Sequence, residues 1–132
     1  MTEADIKVIQ KSYTEIKNTL PRLGKYFYNR ANDIGSDLDP LFAEDRANHG
    51  AAFAAIFAKA VDSLENPEAM LPEIERMEAK LKYFNFKADA LNTIGVIFID
   101  TLSFGFGNNF TQDIIDPWVK AYKTYAAMFF TK

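Results

Sequence analysis

Residues 45–65 read DRANHGAAFAAIFAKAVDSLE and contain the only histidine of the chain. The histidine and the apolar residues recur in steps of three and four, which places them on one face of a helix. They are His49, Phe53, Ile56, Phe57, Ala60 and Leu64. The many alanines favour a helix and keep it thin, so neighbouring helices can approach closely. The pattern therefore predicts a core helix over residues 45–65. Its inward-facing histidine is either a hydrogen-bonded core residue or a group that contacts a ligand in a central pocket.

The composition is typical of one globular domain, residues 1–132. Of the 132 residues, 48% are hydrophobic and 25% are charged, enough to form a core. The net charge of −3 argues against a nucleic-acid partner, because no basic stripe is present to neutralise phosphates. The 12 phenylalanines, six tyrosines and one tryptophan predict either a bulky core or a cavity for a flat or apolar ligand.

The cysteine content and the hydropathy pattern predict the cellular compartment of the protein. The chain has no cysteine, which removes disulfides, thiolate metal sites and thioether attachment of a pigment. No segment has the charged start and apolar middle of a signal peptide. No uninterrupted apolar run reaches the ~18 residues of a membrane span. These features predict a cytoplasmic protein without a membrane span.

The first part of the chain predicts two helices before the core helix. Thr2 is a candidate N-cap for the first helix, with acidic residues in its opening turn. Pro21 suits the first turn of the second helix, which places Phe27 and Tyr28 inward. A short apolar cluster around Pro40 predicts a single helical turn.

The second part of the chain predicts three more helices. Asn66 and Pro67 form a cap-and-first-turn signal for the first of them. In the next helix, residues 95–99 have strand-forming side chains but lie within a longer helical period, so a helix is favoured. The last helix is capped by Thr111, or restarts with Pro117 in its first position. Six or seven helices and no hairpin signal predict an all-α fold.

The order of motifs resembles that of globins, specifically the single-domain bacterial and flavohaemoglobin-like branch. The motifs are IQKSY at 9–13, GKYFY at 24–28, PLF at 40–42, LENPEAMLP at 64–72, and then Gly107, FT at 110–111, DPW at 116–118 and AY at 121–122. The match covers nearly the whole chain. The resemblance implies a globin-like fold of six to seven helices around a central apolar pocket.

The resemblance also implies roles on the distal side of that pocket. Tyr28 falls where these globins keep a tyrosine that hydrogen-bonds a haem-bound gas, and Phe42 falls where a ring packs against haem. His49 falls at the distal position that is Gln or His in the family. Phe53 takes the gate position usually held by Leu or Val. Simple core packing is the alternative for each aromatic residue, although the Tyr28 hydroxyl needs a hydrogen-bond partner.

The proximal side departs from the family. Leu81 occupies the position of the histidine that holds the haem iron, and leucine has no donor atom. Lys80, Lys82 and Met77 lie nearby, and the chain has no second histidine. Haem b could still bind through apolar burial of the macrocycle, with His49, or more weakly Met77 or a lysine, as its axial ligand.

Further apolar residues complete the predicted pocket. Phe53, Phe84 and Phe86 are bulkier than the usual pocket residues, so they either consume space or give the cavity a different shape. Ile94 and Phe98 of the following helix add to the lining. No metal ligand set is predicted, apart from the alternative in which His49 binds haem iron.

Three functions follow from these observations. The first is a haem-free module that binds or signals through a small apolar or amphipathic molecule such as a fatty acid, similar to the haemless globin domains of bacterial stress and sporulation signalling. The second is a haem protein with unusual ligation through His49 that binds O2 or NO, or acts as a peroxidase or sensor. The third is an interaction scaffold with a filled pocket. With neither a catalytic triad nor a phosphate loop, no enzyme activity is predicted.

The first function implies a headgroup site and a route for the signal. His49, Tyr28 or Lys82 would hold an acid headgroup. A signal would pass through a surface or a homodimer formed by the last two helices. The residues expected to be partly exposed there are Trp118, Phe129 and Phe130.

Overall fold

The computed structural model describes residues 1–34, 38–47 and 50–130, and this part of the chain forms helices and no strand. The helices are α1 (Glu3–Ile16), α2 (Leu20–Ile34), α3 (Asp39–Ala47), α4 (Ala51–Asp62), α5 (Leu71–Tyr83), α6 (Ala90–Phe106) and α7 (Gln112–Ala126). Short 3-10 turns precede α2 and α5 and follow α6. The predicted all-α class is confirmed.

Capping residues set the start of the first helix as predicted. The Thr2 hydroxyl accepts a hydrogen bond from the Asp5 backbone N–H at 3.1 Å, and the Asp5 carboxylate accepts one from the Thr2 backbone N–H at 2.9 Å. This capping box satisfies backbone donors that the first turn leaves without partners. Pro21 lies in the first turn of α2, where its missing N–H costs nothing.

The predicted core helix over residues 45–65 is wrong in its extent, because the chain forms two helices there. α3 ends at Ala47, and α4 starts after Gly50, whose φ of +76° lies in the left-handed region that glycine adopts readily. A Cβ built on Gly50 would lie 3.4 Å from the Gly24 Cα, so the two glycines let α2 and α4 pass closely. Pro40 lies in α3, a helix of nine residues and not the single turn predicted.

In the second part of the chain, most helix boundaries follow the predictions. The 3-10 turn Pro67–Met70 precedes α5, and Asn85 turns the corner after α5 with a φ of +64°. Residues 95–99 are helical. Thr111 is the N-cap of α7, whereas the alternative restart at Pro117 is wrong because this proline lies inside the helix.

The core closes around Trp118 of α7. Its side chain is 2% exposed, and its indole N–H donates to the Ser12 hydroxyl of α1 at 2.9 Å. The expectation that Trp118 is exposed is therefore wrong, because this hydrogen bond lets an indole be buried without an unsatisfied donor. Phe129 and Phe130 are half-buried, as expected.

One helical stretch in the described part of the chain, Ala90–Asn109, is long and apolar enough to cross a membrane, with a mean hydropathy of 1.4. The core helix of a soluble protein meets the same criterion, and α6, which this stretch contains, packs along α2. The absence of a membrane span stays a prediction.

Candidate ligand-binding pocket

A cavity of about 290 Å³ lies among the helices. This volume is close to the lower end of the ~300–1,000 Å³ that small-molecule pockets usually have. All seven described helices contribute to its wall, which is mostly aliphatic and aromatic. Among the described residues of the wall, only Asp45 and Lys80 carry charged side chains. The cavity is therefore suited to a molecule that is largely apolar.

Most of the residues predicted for the pocket lie in this wall. They are Tyr28, Phe42, Phe53, Met77, Leu81, Ile94 and Phe98. Phe84 and Phe86 do not line the cavity but pack against the apolar cluster that contains Leu81. His49 lies outside the described residues, so its predicted role in the pocket stays a prediction.

The α5 wall is apolar at Leu81, the residue that the resemblance to globins places at the iron-binding position. Leu81 lines the cavity and is only 3% exposed. Along the same helix, the side chains of Ile74, Met77 and Lys80 also line the cavity, and Lys80 reaches it from the exposed surface. The globin fold implies a haem held by a proximal imidazole, whereas this wall offers only a thioether and an ammonium. The donor set on α5 does not fit a haem iron held in the usual way.

In contrast to the apolar α5 wall, the cavity wall is polar where α3 meets α4. The Tyr28 hydroxyl donates to the Asp45 carboxylate, which is 9% exposed and lies in the cavity wall. The same carboxylate accepts hydrogen bonds from the backbone N–H groups of Ala52 at 2.7 Å and Phe53 at 3.1 Å. Gly50, the N-cap of α4, has no side chain to cap the helix, so Asp45 of α3 satisfies its first donors instead.

Aromatic rings pack behind this hydrogen-bonded group. The ring centroids of Tyr28 and Phe42 are 5.3 Å apart, and those of Phe27 and Phe53 are 5.1 Å apart. These separations are ordinary for packed aromatic side chains. The rings hold Tyr28 in place, so its hydroxyl is directed to Asp45.

Two tyrosines of α7 form a third part of the wall. The Tyr122 hydroxyl donates to the Leu91 carbonyl at 2.5 Å, and the Tyr125 hydroxyl donates to the Ala60 carbonyl at 2.6 Å. Burial raises the pKa of Tyr125 to about 12 and raises the pKa of Tyr122 further, because a phenolate would lose its hydration. Both phenols stay neutral at physiological pH and use their protons within the protein.

The sequence patterns did not place Asp45, Tyr122 and Tyr125 in the pocket, and they suggested Lys80 only as a possible iron ligand. The predicted core helix starts at Asp45, and the glycine five residues later is the signal that α4 needs a cap from elsewhere. Lys82, predicted to hold an acid headgroup, is absent from the cavity wall, and its ammonium lies 3.4 Å from the Glu78 carboxylate.

Known proteins that are similar to this chain include a flavohemoprotein and a bacterial globin. A Flavohemoprotein of Vibrio cholerae is 24% identical over 132 residues, which cover 98% of this chain and 34% of the relative, so the chain spans about a third of that protein. The structure of a bacterial globin from Campylobacter jejuni matches with a TM-score of 0.82 at 18% identity, over 97% of this chain and 93% of that one. No family model matches the chain.

The helices and the pocket they enclose define a globin fold. The resemblance to globins that the motifs indicated is confirmed by the flavohemoprotein relative and the bacterial globin structure.

Proposed function

We propose that this globin works without haem and binds a small apolar or amphipathic molecule in its cavity, as a binding or signalling module of the cytoplasm. The observation that carries the proposal is Leu81, a buried leucine in the cavity wall. The resemblance to globins places this residue at the position of the iron-binding histidine. A fatty acid is one ligand that the resemblance to haemless globin domains suggests. No enzymatic activity is part of the proposal.

The energetics of burial support an apolar ligand. Each buried methylene contributes about 0.8 kcal/mol. A chain of ~10 carbons therefore contributes about 8 kcal/mol before the entropy costs of binding are subtracted. This is enough for binding without a metal–ligand bond, provided that the molecule lies against the aliphatic and aromatic wall.

A haem protein with His49 as axial ligand is the second candidate. The apolar wall and the position of Phe42 in it favour this reading. Against O2 binding, the Tyr28 hydroxyl donates to Asp45 and is not free to donate to a haem-bound gas. The third candidate, a scaffold with a filled pocket, is disfavoured by a cavity of about 290 Å³.

A homodimer through the last two helices is the proposed route for a signal. On α6, Val96 is 61% exposed and Phe104 is 46% exposed, and such apolar side chains at a surface favour an interface. Analytical ultracentrifugation of the wild type and of Val96→Asp tests this proposal. A monomer in both samples would contradict it.

Titration with hemin tests the haem-free reading. We expect the wild-type protein to give no sharp Soret band at one hemin per chain, and Leu81→His to gain one, because an imidazole at position 81 would lie in the cavity wall. Lys82→His is the matched control, since this neighbouring side chain is exposed and absent from the wall. A sharp wild-type band that is lost in His49→Ala would overturn the proposal in favour of the second candidate.

A further inference from the structure

The hydrogen-bond donors of the cavity wall are largely used within the protein. The hydroxyl protons of Tyr28, Tyr122 and Tyr125 are donated to a carboxylate and two backbone carbonyls. The Trp118 indole N–H is donated to Ser12. A hydroxyl has one proton, so these tyrosines have no second hydrogen bond to donate to a ligand. Within the described wall, this leaves the Lys80 ammonium as the side-chain donor available to a ligand.

The described donors to Asp45 do not use all of the hydrogen bonds that its carboxylate can accept. A carboxylate has about four lone-pair sites, and Asp45 accepts from Tyr28, Ala52 and Phe53. The phenolic oxygen of Tyr28 also keeps lone pairs after its proton is donated. Asp45 and Tyr28 both line the cavity. Among the described residues, the α3–α4 end of the cavity therefore presents acceptors to a ligand but no free side-chain proton.

From this arrangement we infer that the cavity selects an amphipathic molecule whose polar end donates a hydrogen bond to Asp45, a hydroxyl or an ammonium group, over one that ends in a carboxylate. The inference rests on the proposed function, because it presumes that the cavity holds a ligand. A hydroxyl or ammonium proton would occupy the remaining acceptor site of Asp45. A carboxylate at the same place would meet a second negative charge in surroundings of low dielectric constant, which is unfavourable.

The competing arrangement is a ligand whose carboxylate headgroup binds to Lys80. Its side chain is exposed and reaches the cavity from α5, so a carboxylate bound there would leave its apolar tail in the cavity. The two arrangements predict opposite orders of affinity for ligands that share one tail. This difference makes the headgroup the variable to test.

The experiment compares 1-decanol, decylamine and decanoate on delipidated full-length protein by isothermal titration calorimetry. We expect the alcohol and the amine to bind at least ten times more tightly than the acid. Asp45→Asn, which supplies an amide proton, is expected to reduce this ratio at least threefold. Asp89→Asn is the control, because Asp89 is exposed and absent from the wall.

A second variant separates binding from folding, because Asp45 also caps α4. Tyr28→Phe keeps the two backbone hydrogen bonds to Asp45 and frees the acceptor site that the phenol used. We expect this variant to keep or increase the preference for the alcohol and the amine. Loss of the preference in Tyr28→Phe would overturn the role assigned to Asp45.

The outcomes distinguish this inference from the proposed function. Equal affinities for the three headgroups, or a tightest-bound decanoate that weakens in Lys80→Ala, would overturn the inference while the cavity remains a ligand site. If neither these three probes nor decane binds, the proposed function itself fails.

Discussion

The two sides of the cavity differ in their chemistry, since one is polar and the other is aliphatic. On the α3–α4 side, Tyr28 and Asp45 form a buried hydrogen-bonded group that also caps a helix. On the α5 side, Leu81 and Ile74 present buried aliphatic surface to the cavity. One globin fold can therefore combine an aliphatic wall with a polar group on the facing side of the cavity, because different helices carry the two.

The largest expected effect is on the polar side. Asp45→Ala would leave the donors of Tyr28, Ala52 and Phe53 without their acceptor, and each buried unsatisfied donor costs about 1–3 kcal/mol. We expect the free energy of unfolding to fall by about 3–5 kcal/mol, measured by urea denaturation. Asp89→Ala is the control, because Asp89 is the N-cap of α6 without a side-chain capping bond. A loss of less than ~1 kcal/mol for Asp45→Ala would show that this carboxylate does not hold the wall together.

The second prediction uses the stability cost of removing a leucine side chain to distinguish an open cavity from a filled core. Leu81→Ala removes a side chain that borders the cavity, so it loses fewer packing contacts than a fully surrounded leucine. We expect a cost of about 2 kcal/mol, against about 3–5 kcal/mol for Leu102→Ala, whose side chain is buried outside the cavity wall. Both values come from urea denaturation of delipidated protein. Equal costs would indicate that Leu81 packs into a filled core, as in the scaffold reading.

The smallest expected effect is a change in stability that is absent at neutral pH and arises from the tyrosines of α7 in the cavity wall. Tyrosine titrates near pH 10 in an unfolded chain, whereas burial raises the pKa of Tyr125 to about 12 in the folded protein and raises that of Tyr122 further. Above pH 10 the unfolded state therefore loses protons that the folded state keeps, so stability falls as the pH rises from 10 towards 12. The urea midpoint measured from pH 8 to 11 checks this. Substituting both tyrosines by phenylalanine should flatten the profile, and an unchanged slope would contradict the assignment.

The sequence was sufficient for the all-α class and for most helix boundaries. Local signals act within one turn, so the cap at Thr2 and the turn before α5 could be predicted from neighbouring residues. Residues 95–99 are helical because a long apolar period outweighs strand-forming side chains. Leu81 lies in the cavity wall, where the resemblance to globins placed the proximal position.

The polar side of the pocket could not be predicted because it depends on contacts between elements. The cap of α4 comes from Asp45, a residue in the preceding helix, while the residue at the capping position is a glycine. The apolar periodicity of residues 45–65 continues across Gly50. It therefore does not show that this residue divides the stretch into two helices. Pro117 is likewise typical of a helix start, but it lies inside α7, which begins before it.

Native mass spectrometry of the protein as purified from bacteria tests the central claim most directly. Ala60→Phe fills the cavity from its wall, and Ala55→Phe, exposed on the same helix, is its matched control. We predict one apolar or amphipathic molecule per chain in the wild type and in Ala55→Phe, lost in Ala60→Phe, with no iron porphyrin in any sample. A wild-type chain that carries one iron porphyrin would contradict the account, as would a chain that stays unliganded even after exposure to 1-decanol and decylamine.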